Sequence, residues 1–451
     1  MDLSIKQARH FIPQILHIAL PIVISQGSQT LILFTDRYFL SKISSTHLAA
    51  AMGGGLSHFV FFAFLFGLLS YSTTLVAQYI GAGRNDKAAL VTVQAVFSGV
   101  CLYPIMLAAG YLFSHCFQFF GHSQLQVELE KEYFLVVLAG AFFNVFNVSI
   151  SSFFSGIGKT GVVMAINLFV ALANVPVAAA LVFGWQWVPR LEMLGAALST
   201  VLVSGVGTIL FLVLYFSREQ RRVYQVFAAL RVDKSILRQL FRFGGPSALQ
   251  VVLNVSAFNL FILTFQSYGS HAASAITILF NWDMVNYIPV LGLQIGIMSL
   301  VGRAMGAERP ADAEAIALWG MLLGMCYTIV LSIFYLCMSS ALISLFSPAG
   351  EGYLLSMSMM TGLIMYILAD TMGLTAAGAL KGAGDTRWLM VVSGSLHWLM
   401  LILQFFLIKY LGVGPLESWY GFVVFIFVLS AAFVVRFRNN RWKQIRLLRH
   451  N

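Results

Sequence analysis

Charged side chains are scarce in this sequence: Asp, Glu, Lys and Arg make up 10% of its 451 residues, whereas 59% are hydrophobic. A soluble globular protein carries roughly 25% charged residues. Apolar windows of about 20 residues, each able to cross a hydrocarbon core about 30 Å thick, recur from end to end. A transmembrane β-barrel would show short alternating segments instead. The composition therefore predicts an all-α polytopic membrane protein.

Cysteine is also rare, and the four cysteines form no short CxxC pair. Cys101, Cys116, Cys326 and Cys337 stand in separate apolar stretches. We therefore expect buried small residues rather than a disulfide framework or a metal site. Nucleotide-binding loops, clustered aspartates and Ser/His/Asp arrangements are not recognisable either. These gaps argue against an enzyme, including a membrane enzyme of the isoprenoid-transfer type, and against a resident cofactor.

What the sequence does contain is a series of twelve candidate helices. Their approximate ranges are 11–40, 46–79, 88–118, 125–155, 161–184, 193–217, 236–267, 271–304, 314–346, 351–380, 387–411 and 417–436. We place a six-helix lobe at 1–217, a linker at 218–235, a second six-helix lobe at 236–436 and a basic tail at 437–451. A chain of this kind is expected to be a monomer surrounded by membrane lipids.

The basic residues lie mostly on one side of this topology. With twelve spans, 22 of the 27 Lys and Arg residues share the side of the two termini. The positive-inside rule then places both termini in the cytoplasm, and we expect a bacterial cytoplasmic (inner) membrane. Because this distribution explains the net charge of +10, it gives no reason to expect binding to nucleic acid. We interpret the polar run from Ser217 to Arg242 as a solvated linker with an interfacial amphipathic piece.

The two halves repeat each other at an offset of 225–226 residues. Gly81-Ala82-Gly83-Arg84 parallels Gly306-Ala307-Glu308-Arg309, and the Gly156–Thr160 loop parallels Gly382–Thr386. Pro21 in the first helix parallels Pro246 in the seventh. Parallel six-helix repeats related by a pseudo-twofold axis along the membrane normal are a transporter architecture. We interpret the Gly-rich loops as turns and helix caps, not as phosphate loops, because they join two helices.

The first long apolar stretch, from Phe11 to Leu40, carries an unusual polar face. Pro21 interrupts its hydrogen-bond ladder, Gln26 and Gln29 follow, and the stretch ends near Asp36. The spacing predicts that Gln29 and Asp36 share one helix face with Ser25. An acid on a membrane helix is costly unless it faces protein or water. From the residues alone, a functional Asp36 and one that anchors the helix end at headgroup level are equally compatible.

Over nearly its whole length the chain resembles the multidrug and toxic compound extrusion (MATE) transporters. The resemblance rests on Ala19-Leu20-Pro21 through Asp36, Leu48-Ala49-Ala50, Ala77 to Arg84, Gly156 to Thr160, Val301 to Ala307 and Gly378 to Thr386. It implies two lobes that export cationic or amphipathic organic compounds in exchange for H+ or Na+.

The resemblance also implies roles for particular residues. Asp36 matches a cation-coupling acid, Asn174 an asparagine beside that acid, and Pro21 a proline where the first helix bends. Gln29 is expected to join this coupling group.

A second set is expected to line the substrate or cation cavity: Asp370, Asn254, Asp283, Gln26 and Asn167. Asn254 stands where one branch of the family has a glutamate, and Ala178 where an acid or amide is common, which favours H+ over Na+. Asp283 matches no acid of the family, and either lines the cavity or pairs with a neighbouring helix. The alternative function is a lipid or lipid-linked oligosaccharide flippase, whose cavity would have to be strongly cationic.

Overall fold

The computed structural model describes residues 5–346, 350–445 and 447–448. Fifteen α-helices are assigned there: α1 Ile5–Ser41, α2 Ser45–Ser70, α3 Ser72–Gly81, α4 Asn85–Ser114, α5 Gln124–Gly156, α6 Thr160–Phe183, α7 Glu192–Tyr215, α8 Arg218–Tyr224, α9 Lys234–Gln239, α10 Gly245–Gln266, α11 Ser270–Gly306, α12 Pro310–Ser344, α13 Glu351–Ala383, α14 Thr386–Lys409 and α15 Pro415–Arg438.

These helices form twelve segments long and apolar enough to cross a membrane within the described residues. Two segments are composite. Helices α2 and α3 form the span Ser45–Gly81, and α9 with α10 forms the span Lys234–Gln266. A π-helical turn, Leu240–Gly244, joins α9 to α10, because Pro246 lacks the N–H that would continue the regular ladder. The predicted all-α fold with twelve spans is confirmed.

The chain divides into two compact units. The N unit is Ile24–Ala248, and the C unit comprises the residues up to Val23 together with those from Leu249 onward. This division differs from the predicted lobe ranges, 1–217 and 236–436, at the first and seventh spans. The first part of α1 groups with the C unit because Ile15, Ile18 and Ile22 are buried in that unit's hydrophobic core.

Two helices, α1 and α10, contribute residues to both units, and in each of them the boundary between the units lies two residues after a proline. The boundary follows Val23 in α1, after Pro21, and follows Ala248 in α10, after Pro246. In the C unit, a Cβ atom placed on Gly292 would lie 2.9 Å from the Val23 Cα atom. In the N unit, a Cβ atom on Gly67 would lie 2.6 Å from the Ala248 Cα atom. The two contacts are related by the repeat offset of 225 residues. In each unit, the backbone just after the proline of α1 or α10 therefore packs against an equivalent glycine.

Gly67→Ala and Gly292→Ala are therefore expected to destabilise the protein. The added methyl group overlaps backbone atoms, and overpacking of this kind costs about 1–3 kcal/mol. Thermal unfolding of the purified protein should occur at a lower temperature in both variants.

Gly161→Ala is the matched control, because a Cβ atom there has open space around it. Replacing a glycine by alanine within a helix otherwise stabilises it by up to about 1 kcal/mol. Equal unfolding temperatures in all three variants would show that the close contacts impose no constraint.

The repeat also appears within each unit as one glycine contact at the end of a helix. A Cβ atom on Gly156 would lie 2.9 Å from the Thr73 carbonyl oxygen, and one on Gly382 would lie 2.6 Å from the Met298 carbonyl oxygen. Gly156 and Gly382 differ by 226 in number, and Thr73 and Met298 by 225. The sequence repeat therefore reproduces tertiary contacts inside the two units.

The four Gly-rich loops close the preceding helices with one hydrogen-bonding pattern. The bonds run from the backbone N–H of Arg84 to Tyr79 (2.9 Å), Lys159 to Phe154 (2.8 Å), Arg309 to Ala304 (2.9 Å) and Asp385 to Leu380 (2.9 Å). The residue before each donor has positive φ: Gly83, Gly158, Glu308 and Gly384. This is the Schellman cap, so the interpretation of these loops as helix caps is confirmed.

The expectation of buried cysteines is wrong for most of them. Cys101, Cys326 and Cys337 are exposed, Cys116 is half-buried, and all four are free thiols. In a soluble protein an apolar stretch indicates burial, but a helix that faces lipid is apolar on its outer surface as well.

Candidate functional site

The N unit holds a buried acid, Asp36, near the end of α1. Only 1% of its surface is exposed. The Thr200 hydroxyl donates a hydrogen bond of 2.7 Å to one carboxylate oxygen, and the Tyr133 hydroxyl donates one of 3.4 Å to the same atom. The Asn174 amide donates to the other oxygen over 3.3 Å. Three donors from α5, α6 and α7 therefore converge on one carboxylate, which offsets part of the cost of burying it.

The family resemblance implied that Asn174 lies beside Asp36, and the hydrogen bond between them agrees with this, but the sequence reasoning missed Thr200 and Tyr133. Tyr133 directly follows the charged run Glu128–Glu132 and Thr200 follows Ser199, so neither spacing nor motif distinguishes them as partners of Asp36. Gln29 does not belong to this group in the described part of the chain: its side chain is exposed and the hydrogen-bond donors to Asp36 are the three named above. The seven-residue spacing does place Gln29 on the same face of α1 as Asp36, but protein covers that face at Asp36 and not at Gln29. The expectation that Gln29 joins the coupling group therefore stays a prediction, with no hydrogen bond from Gln29 to Asp36 in the described residues.

The amide of Asn174 has a second notable feature. Its side-chain oxygen is buried and has no hydrogen-bond partner within the described residues. A buried acceptor without a donor is costly. A proton on Asp36 would supply an O–H donor, and rotation of the amide would let the Asn174 oxygen accept it. The group can therefore exist in two hydrogen-bonded arrangements, one for the charged acid and one for the neutral acid.

Ser25 and Gln26, both about one turn before Gln29 on α1, make other contacts. The Asn167 amide donates a 2.6 Å hydrogen bond to the buried Ser25 hydroxyl. Gln26 is half-buried, and its carbonyl oxygen accepts a hydrogen bond of 3.4 Å from Thr30. Asn167 of α6 thus contacts α1 at Ser25, and neither Asn167 nor Gln26 is among the donors that converge on Asp36.

The C unit contains a second acidic group. Asp283 on α11 is 5% exposed, and the Tyr366 hydroxyl of α13 hydrogen bonds to its carboxylate. Asp370, also on α13 and half-buried, lies close enough for electrostatic repulsion between the two acids. One carboxylate oxygen of Asp283 is buried without a hydrogen-bond partner in the described residues. The two acids, left as separate hypotheses by the sequence, are therefore neighbours.

A hydrogen-bonded chain of neutral residues adjoins this acidic pair. The Thr328 hydroxyl of α12 donates to the Asn286 amide oxygen over 3.0 Å and lies 2.8 Å from the Thr371 hydroxyl. All three residues are fully buried. Asn286 follows Asp283 by one helical turn, and Thr371 follows Asp370 directly. These contacts bring α11, α12 and α13 together at the level of the acids.

Asn254 lies in a different contact of the C unit. Its amide donates a 2.8 Å hydrogen bond to the Ser393 hydroxyl of α14. The His397 ring is hydrogen-bonded through Nδ1 to the Ser393 carbonyl oxygen over 2.7 Å. Ser393 matches Asn167 at the repeat offset. The contact of α10 with α14 in the C unit thus parallels the contact of α1 with α6 in the N unit.

Chemically, each unit offers a buried acid surrounded by hydroxyl and amide groups. Neither Asp36 nor Asp283 forms an ion pair within the described residues. In that part of the chain, no three His, Cys, Asp or Glu side chains are close enough to hold a metal ion. The arrangement suits binding and release of a proton or a monovalent cation.

The fold matches known transporters. Crystal structures of a MATE protein in complex with MaL6, with 20% identity and a TM-score of 0.85, and of the eukaryotic MATE transporter AtDTX14, with 17% and 0.87, superpose on this chain. The coverage is 95% of both chains for the first and 97% of this chain and 98% of that chain for the second. A MOP superfamily transporter from Pyrococcus furiosus matches at 20% identity and a TM-score of 0.86, with 96% of each chain covered.

These identities are low enough that the structures establish the fold alone. A family model adds membership: the MatE model matches residues 21–180 and 246–406, more than half of the chain. The two matched ranges also reproduce the internal repeat. This chain therefore belongs to the MatE family of multidrug and toxic compound extrusion transporters.

Proposed function

We propose that this transporter is an antiporter that exports cationic or amphipathic organic compounds by alternating access, in exchange for H+ rather than Na+. The supporting observation is that each unit holds acids that form no ion pair within the described residues: the buried Asp36 in one, and the buried Asp283 with the half-buried Asp370 in the other. A buried carboxylate attracts a cation strongly because little water screens it. A proton and a cationic substrate can therefore compete for the same charge.

H+ is favoured over Na+ by the ligands around Asp36. In the present arrangement its three partners each direct a hydrogen at the carboxylate, so their hydroxyl and amide groups would have to turn before their oxygens could bind Na+. Na+ would need several oxygen ligands directed at it, whereas one carboxyl group is enough to carry H+. Ala178, which is buried on the same helix as Asn174, supplies no oxygen from its side chain.

The sign of the buried charges also distinguishes an exporter of cations from a lipid flippase. Among the described residues, the fully buried Asp, Glu, Lys and Arg side chains are all acidic: Asp36, Glu130, Asp283 and Asp385. Asp385 is paired with Arg436, and the half-buried Lys381 lies near the end of α13, so neither cation is at the level of Asp283 and Asp370. A diphosphate-bearing lipid would be repelled by such interiors. We further propose that the protein acts as a monomer in the bacterial inner membrane, with both termini in the cytoplasm, as the distribution of Lys and Arg indicates.

The test uses ethidium as the cationic probe in inside-out vesicles that contain the protein. An imposed pH gradient, acidic inside, should drive ethidium accumulation, and a Na+ gradient at equal pH should not. Vesicles without the protein are the control. Accumulation driven by Na+ alone would overturn the assignment of the coupling ion, and failure of both gradients with several cationic dyes would overturn cation export.

A further inference from the structure

We propose that the segment 217–242, which joins the sixth span to the seventh and includes the first nine residues of the seventh, is a binding surface for anionic phospholipid headgroups of the adjacent membrane leaflet. This segment is called the linker below. This inference is independent of the transported compound and of the coupling ion. The linker carries seven basic residues, Arg218, Arg221, Arg222, Arg231, Lys234, Arg238 and Arg242, and two acidic ones, Glu219 and Asp233.

The two acids of the linker are paired with basic residues outside it. Glu219 pairs with Lys159, in the loop before α6, and Asp233 lies 3.5 Å from Lys87 on α4. The pKa of Asp233 lies below its ordinary value: partial burial raises it, but hydrogen bonds from the Ile236 and Ser235 backbone and the charge of Lys87 lower it more. Asp233 is therefore ionised at neutral pH and already neutralised by Lys87.

The seven basic side chains of the linker consequently have no acidic partner in the described part of the chain. All seven are exposed. Seven uncompensated positive charges within 26 residues repel one another, and this repulsion is relieved when an anionic surface faces them. Each Lys or Arg near an anionic leaflet contributes about 1 kcal/mol of attraction.

The linker is held in a defined position on the N unit. The Gln94 side chain, fully buried, donates to the Arg231 carbonyl oxygen over 2.8 Å and accepts from the Asp233 N–H over 3.2 Å. Tyr79 donates a 2.9 Å hydrogen bond to Gln239. Val226 is fully buried as well. The basic residues are therefore presented on a folded surface and not on a free chain.

Apolar side chains alternate with the exposed arginines along the linker. Val223 is 42% exposed, Phe227 52%, Leu230 56% and Val232 56%. The linker begins two residues after one membrane-spanning helix and includes the start of the next, so it lies at the membrane surface. Basic residues interleaved with exposed apolar residues at that level are typical of segments that insert apolar groups between headgroups. A nucleic acid or an acidic soluble protein would use the charges but leave these apolar groups in water.

The experiment measures lipid retention on the purified full-length protein. The protein is equilibrated with equal amounts of phosphatidylglycerol and phosphatidylcholine, and bound lipids are counted by native mass spectrometry. Wild-type protein should retain phosphatidylglycerol preferentially. Arg218→Gln/Arg222→Gln/Arg231→Gln removes three exposed charges without removing a buried contact, and should reduce this preference by about tenfold or more.

The matched control is Lys42→Gln/Arg190→Gln/Lys409→Gln, which removes three exposed basic residues predicted on the opposite face; of these, Arg190 is paired with Glu192. It should keep the wild-type preference. Phe227→Ser/Leu230→Ser keeps every charge and should still lower phosphatidylglycerol retention, because the apolar contacts contribute. Thermal unfolding of each variant tests whether it has folded.

Three results would overturn the proposal. One is an unchanged preference in the folded linker-arginine variant, and another is an equal loss in the control. The third is full phosphatidylglycerol retention by Phe227→Ser/Leu230→Ser together with complete displacement of the lipid by inorganic phosphate, which would show a soluble-anion site. Retention that resists phosphate and depends on both residue classes supports a membrane-facing lipid surface.

Discussion

Asp36→Asn is expected to abolish ethidium transport driven by a pH gradient. Asparagine has nearly the shape of aspartate and can keep contacts with Thr200 and Asn174, but it cannot take up or release a proton. In the described part of the chain, the side chains of Thr200, Tyr133 and Asn174 donate to Asp36 and to no other acid. We therefore expect no other acid to take over its proton. Accumulation of ethidium in inside-out vesicles should fall to the level of protein-free vesicles, while ethidium binding to the purified variant persists.

The matched control for this prediction is Asp86→Asn. Asp86 is exposed in the first turn of α4, so the same chemical change there should leave transport unaltered. Thr200→Val and Tyr133→Phe each remove one donor to Asp36 and should slow transport without abolishing it. Wild-type transport by Asp36→Asn at matched expression would remove this residue from coupling, whatever its buried position.

Asp370→Asn is expected to reduce export of cationic compounds about tenfold or more, with a smaller effect on neutral compounds. A charge interaction across about 4 Å is worth roughly 1–4 kcal/mol between the dielectric of water and that near a protein surface, and 1.4 kcal/mol corresponds to a factor of ten. Initial rates of ethidium and of a neutral dye in the same vesicles measure the difference. Asp312→Asn, in the first turn of α12, is the control.

Asp283 gives this prediction a second, independent readout. Because Asp283 and Asp370 repel each other when both are charged, removal of either charge changes the environment of the other. The effects of Asp283→Asn and Asp370→Asn should therefore not add in the double variant. Additive effects would show that the two acids act separately, and wild-type cation export by Asp370→Asn would assign it a structural role.

The twelve spans were predictable because membrane insertion is a local property. Each span must satisfy its own backbone hydrogen bonds and expose apolar side chains to lipid, so a window of about 20 residues contains most of the information. The Gly-rich turns were predictable for a similar reason: Gly158 and Gly384 adopt positive φ, which the sequence signals directly. The same local reasoning failed for Cys101, Cys326 and Cys337, since apolar surroundings do not distinguish lipid from protein.

The sequence by itself determined the helical fold, the internal repeat, the family resemblance and the presence of Asp36, Asp283 and Asp370. Only the tertiary structure decided which residues surround these acids. Thr200 and Tyr133 reach Asp36 from helices that are 164 and 97 residues away in sequence, and Gln29, seven residues away, does not. Spans are specified by local hydrophobicity, whereas a polar contact depends on the rotation of each helix about its axis, which packing with distant helices sets.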